Sequence, residues 1–104
     1  MPHAHWPGTT LLPFGDDLPH TSSAAFVGAG SRIIGAVALG EDSSIWYNCV
    51  LRGDVGRITV GARTNIQDGT TVHVTSGEGP TAIGADCLIG HLVLLHGCML
   101  HDRS

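Results

Sequence analysis

Val27-Gly28-Ala29-Gly30-Ser31-Arg32-Ile33-Ile34-Gly35-Ala36-Val37-Ala38-Leu39-Gly40 decides the fold: its aliphatic residues Val27, Ile33 and Leu39 stand six apart, and the series runs on to Ile45 and Leu51. The same spacing resumes at Val60, Ile66 and Val72 and again at Ile83, Ile89 and Leu95, with Gly28, Gly40, Gly61, Gly84 and Gly90 directly after an aliphatic residue. An amphipathic helix would show a period of about 3.6. An aliphatic residue followed by a small one every six residues suits a short extended segment and a tight corner. Three such segments close one triangular coil of about 18 residues, and the aliphatic column fills the prism. Segments rich in Ile, Val and Thr and punctuated by Gly agree. The expected fold is all-β, a parallel β-helix of about four coils.

Two interruptions break the count, one between Leu51 and Val60 and one between Val72 and Ile83, and both read as corner loops. The second contains Thr75-Ser76-Gly77-Glu78-Gly79-Pro80, which is turn chemistry. Residues 1–22 stand outside the repeat, carry four of the five prolines, and are expected to form an extended arm. Residues 23–104 form the repeat domain. Its C-terminal end is incomplete by this reading, since Leu95 to Leu100 is one short of six and His101-Asp102-Arg103-Ser104 departs from the period.

Composition narrows the function. The 104 residues carry 5 Lys plus Arg against 9 Asp plus Glu, for a formal net charge of −4, with no basic cluster. Nucleic acid and anionic membrane are therefore excluded as expected partners. No apolar run approaches a span of roughly 20 residues. Met1 to Thr10 has neither the basic start nor the apolar core of a signal peptide, so the expected address is cytoplasmic. Cys49, Cys87 and Cys98 form no CxxC pair and no even set, which reads as reduced, partly buried core thiols.

The repeat also sorts the histidines. Leu51, Val72 and Leu95 fall on one face, so His73 and His96 each follow the aliphatic residue of that face, in adjacent coils about 4.8 Å apart. Two imidazoles stacked this way can share a metal with Zn–N bonds of about 2.0–2.1 Å. His91 follows Ile89 by two, on another face, from which it can serve a neighbouring molecule and complete a three-histidine site with an open position. A lone histidine in a Gly-rich repeat is more often a solvated surface residue; the common register puts the ligand reading on an equal footing with that one. His3, His5, His20 and His101 have no such register. Arg52 stands one coil from His73 on the same face, and Asp54 is placed to pair with it or with a neighbouring chain, which as a plain salt bridge would be structural. Gln67 can hold a water near the metal or belong to an amide ladder, Asp68 lies in register with His91, and Asn65 can equally make a corner.

The segments Ile45-Trp46-Tyr47-Asn48, Leu51-Arg52-Gly53-Asp54, Gly61-Ala62-Arg63-Thr64-Asn65-Ile66-Gln67-Asp68-Gly69, Val72-His73-Val74, Ile89-Gly90-His91 and Leu95-His96-Gly97-Cys98 together resemble the gamma-class carbonic anhydrase family of hexapeptide-repeat proteins, from about Leu11 to about Leu100. The resemblance implies a left-handed parallel β-helix assembled as a homotrimer, with a metal ion between subunits. It places the metal ligands on His73 and His96 of one subunit and His91 of the next, an interface pair on Arg52 and Asp54, and catalytic polar residues on Asn65, Gln67 and Asp68. Zinc is the expected cofactor, and iron or cobalt suits the same imidazoles. The implied reaction is hydration of carbon dioxide to bicarbonate by hydroxide that the metal generates from water, with Gln67 orienting hydroxide or substrate.

Two departures from the family pattern bear on activity. Acidic residues that ferry protons in the best-characterised members are replaced by Val55, and the loop after the first metal histidine offers only Glu78, so weak or absent turnover is expected. Family members also continue into further coils and a C-terminal helix, and by that comparison the sequence reads as C-terminally truncated. Two rival functions accompany the first: a hexapeptide acyltransferase using one histidine as general base, and a non-catalytic metal-stabilised trimeric scaffold.

Overall fold

In a computed structural model that describes residues 6–74 and 79–104, every named strand pair is parallel and no helix occurs among the described residues. The larger sheet runs β1 (Thr10–Leu12), β3 (Arg32–Leu39), β5 (Val50–Val60), β7 (Thr71–His73) and β10 (Leu94–His96), with β8 (Thr81–Ile83) joined to β5 and β11 (Met99–Leu100) joined to β8. The smaller sheet is β2 (Phe26–Val27), β4 (Ser44–Ile45), β6 (Asn65–Ile66) and β9 (Leu88–Ile89). This is a β-solenoid of about four turns.

The six-residue period fixes its register. Ile33 pairs with Leu51, Leu51 with Val72, and Val72 with Leu95. Leu39 pairs with Val60 and Val60 with Ile83, while Val27, Ile45, Ile66 and Ile89 form the third column. Burial of these columns from water is the main driving force of the fold: Ile33, Ile45, Leu51, Ile66 and Val72 are all 0% exposed. The small residue after each aliphatic one has a steric reason at Gly61, where a Cβ would run into the Gly84 carbonyl of the next coil. Coils stacked this closely at a corner leave no room for a side chain.

A second pattern, four residues after the aliphatic position, was not read from the sequence. In one column Cys49 N–H donates to Ser31 Oγ, and Val93 N–H donates to Thr70 Oγ1. In the other, Thr64 Oγ1 donates to the Gly84 carbonyl and accepts from Cys87 N–H. These buried hydroxyls satisfy corner backbone groups that neither sheet pairs.

The structure corrects two expectations. The interruption after Leu51 does fall at the corner between the Leu51 and Val60 columns, but as a bulge rather than a free loop. It lies within the continuous strand β5, where Gly53 pairs with Gly35 and Ile58 with Val37, so four residues, Asp54 to Arg57, oppose Ala36 alone as a bulge. His101 to Ser104 do not leave the repeat either. Gly84 N–H donates to Leu100 O, Arg103 N–H to Ala85 O, and Leu88 N–H to Ser104 O, so these residues continue the next coil. The second interruption lies largely outside the described residues, as do His3 and His5. Within the 1–22 arm, Thr10–Leu12 is extended and pairs with Arg32–Ile34, and His20 bridges to Ala38.

Candidate metal centre

Residues that alternate with the buried column point away from it, because successive side chains of a strand leave opposite faces. On the larger sheet this places Arg52, His73 and His96 in one outward column, with Arg52 paired to His73 and His73 to His96. The two imidazole rings stack with centroids 5.3 Å apart and planes 10° apart. His73 is half-buried, and its Nδ1 is shielded from solvent without a hydrogen-bond partner. His96 is exposed.

That orphaned nitrogen is a test of fit for a metal. A buried nitrogen with no partner calls for an explanation, and an unprotonated imidazole nitrogen is a metal ligand. With bonds of about 2.0–2.1 Å in tetrahedral geometry, two imidazoles on one ion have ring centres about 5 Å apart. The observed separation of 5.3 Å matches that distance, and the rings, now stacked within 10° of parallel, must tilt toward one another for one ion to lie in both ring planes. The pair offers two nitrogen-bearing rings only: among the described residues of one chain, no group of three or more His, Cys, Asp or Glu stands close enough to hold an ion. His91 is exposed just beyond β9 on the smaller sheet, in the coil directly after Asp68, whose carbonyl accepts from Leu92 N–H.

The remaining candidate residues divide between the two sheets. Arg52 Nε lies 3.2 Å from Asp54 Oδ2 within the chain, with both side chains partly open to solvent. Gln67 is half-buried beside Trp46 in register. Asp68 is exposed, and its Oδ1 accepts from Tyr47 N–H at 3.4 Å. Asn65 does not make the corner, since the left-handed residue there is Arg63 at φ 59. It sits instead in β6, where its Oδ1 accepts from Ser44 Oγ at 2.8 Å and from Trp46 Nε1 at 3.1 Å. Phe26 and Tyr47 pack against Trp46 with ring centroids 5.2 and 6.2 Å away.

Cys49 and Cys87 are buried free thiols, as expected of core residues. Burial pushes the Cys49 thiol above its ordinary value, which suits neither nucleophile nor ligand. A groove of about 250 Å³ lined by Asp16, Asp17, His20 and Arg57 contains none of the candidate residues. No described helix is long and apolar enough to cross a membrane.

No family model matches the chain. It is 47% identical over 100 residues to gamma carbonic anhydrase 1, mitochondrial, of Arabidopsis thaliana, covering 91% of this chain and 36% of that protein. It is 46% identical over 77 residues to a probable carbonic anhydrase of Methanocaldococcus jannaschii, covering 74% of this chain and 48% of the other. Among solved structures, a hexapeptide transferase family protein from Anaplasma phagocytophilum superposes with a TM-score of 0.78 at 46% identity, covering 86% of this chain and 52% of that one. The chain thus spans between about a third and a half of the length of these relatives.

Proposed function

The chain is a relative of the gamma-class carbonic anhydrases, and from that premise we propose that it forms a metal-dependent carbonic anhydrase site between the subunits of a homotrimer. The observation that carries the reading is the stacked His73–His96 pair with the unpartnered His73 Nδ1. In this reading His73 and His96 hold the ion from one subunit and His91 from the next. A bound zinc, iron or cobalt ion would lower the pKa of water toward about 7.

The reaction joins carbon dioxide and water to give bicarbonate and a proton. Gln67 holds the attacking water or the substrate by its amide, and Asn65 adds a second amide. Asp68 accepts a proton or orients His91, and the Arg52–Asp54 pair steadies the subunit contact. Proton removal is the weak step: position 55 is an exposed Val rather than an acid. Turnover is accordingly slow.

Stopped-flow measurement of carbon dioxide hydration, on the whole chain loaded with zinc and on the same sample after chelation, tests the reading. A metal-dependent rate that His73→Ala removes supports it; equal rates in both samples overturn it. The likeness to a hexapeptide transferase favours acyl transfer as a second reading. Acyl-CoA turnover by the chelated protein separates the two. A full complement of metal with neither activity would identify the scaffold.

A further inference from the structure

Asn65 has a carbonyl end and an amino end, and which end faces outward decides whether it accepts or donates. Both acceptor sites of its Oδ1 are taken, one by the Ser44 hydroxyl at 2.8 Å and one by the Trp46 indole N–H at 3.1 Å. Trp46 Nε1 also donates to Ser44 Oγ at 3.1 Å, which closes a three-membered network. Turning the amide over would set its NH2 against the indole N–H, donor against donor.

The network is held from two sides. Ser44 is only 9% exposed and in register with Asn65 across β4 and β6. Trp46 is fixed by Phe26 and Tyr47, and Phe26 in turn meets Trp6 from the N-terminal arm at 6.3 Å. Among the described residues, no hydrogen bond takes Asn65 Nδ2 as its donor.

We propose that Ser44 and Trp46 are positioning residues that lock the Asn65 carboxamide with its NH2 outward, making Asn65 a hydrogen-bond donor to the oxygen atoms of bicarbonate. The ligand class follows from the proposed function, on which this inference rests. An amide that can only donate suits the two oxygens of bicarbonate that carry no proton, which can only accept from it. It does not suit a ligand that must itself donate at that point.

The test is a bicarbonate titration of the whole chain, zinc-supplied and then chelated, against chloride at equal ionic strength, reading the Asn65 side-chain amide by nitrogen–proton NMR. A saturable shift of the Asn65 NH2 pair is expected with bicarbonate and not with chloride. Trp46→Phe keeps the ring packing, loses one locking bond, and is expected to weaken bicarbonate roughly three- to tenfold; Ser44→Ala behaves alike. An Asn65 signal that bicarbonate leaves unmoved in the wild-type chain overturns the proposal without recourse to a variant. Unchanged bicarbonate affinity in a folded Trp46→Phe chain overturns the positioning role. Zinc content of the same samples reports separately on the metal reading: zinc bound with Asn65 unmoved sinks this inference alone.

Discussion

Two columns run along the same strands of the larger sheet, one inward through Leu51, Val72 and Leu95 and one outward through Arg52, His73 and His96. They share one register and differ in what they do. Leu51 and Val72 are fully buried and drive the stacking of the coils, while His73 and His96 are carried along by that stacking until their rings lie 5.3 Å apart. A repeat that fixes its register by aliphatic burial thus aligns its outward side chains at no further cost. The alignment of the outward column is precise because the core is regular.

Breaking the inner column should have the largest effect. Leu51→Ala empties a fully buried position of that column and is expected to cost about 2–5 kcal/mol. Because the histidines depend on the register, thermal melting and metal content should fall together. Breaking the outer column should separate the two: His73→Ala or His96→Ala is expected to abolish metal binding while the metal-free protein melts within about 1 kcal/mol of wild type. A loss of stability as large as that of Leu51→Ala would show that the rings belong to the core.

A smaller effect sharpens the comparison at the corner beside His91. Asn48, Gly69 and Leu92 occupy equivalent corner positions in successive coils with φ of 57, 73 and 55. Leu in this left-handed region is strained by roughly 1–2 kcal/mol, and its side chain is 77% exposed, so little burial compensates. Leu92→Gly should therefore stabilise the fold by about 0.5–1 kcal/mol after the greater freedom of unfolded Gly is subtracted. Denaturant unfolding reads this directly.

The smallest effect is expected at the other corner, where Arg63 donates to Asp86 at 2.7 and 3.0 Å on the surface. The guanidinium holds the Asp86 carboxyl below its ordinary value of 3.8. A depressed folded value contributes stability above the ordinary carboxylate range, which is lost as pH falls through the folded value. Asp86→Asn should lower the melting temperature slightly at neutral pH and not at all in strong acid.

The stacking of His73 on His96 was legible because a period of six fixes register arithmetically. The bulge in β5 was not: Gly53-Asp54-Val55-Gly56 has the composition of a loop, yet its flanking residues remain paired to β3. His101 to Ser104 misled for a different reason. Spacing between aliphatic residues suggested departure, whereas the small polar residue four places after each one, Ser43, Thr64, Cys87 and Ser104, marks continuation. Asn65 was singled out by resemblance, but its orientation depends on Trp46 and Ser44, contacts that lie across coils and that no spacing in the chain announces.

The central claim, that two outward histidines of one chain share a metal with His91 of another, is tested most directly by mixing two defective chains. His73→Ala and His91→Ala are each expected to bind no metal alone. Unfolded together and refolded as mixed trimers, they should regain zinc at about a quarter of interfaces, those where an intact His73–His96 pair meets an intact His91, as counted by native mass spectrometry. A His91→Ala chain that retains its full zinc, or a mixture that regains none while forming mixed trimers, would contradict the shared site.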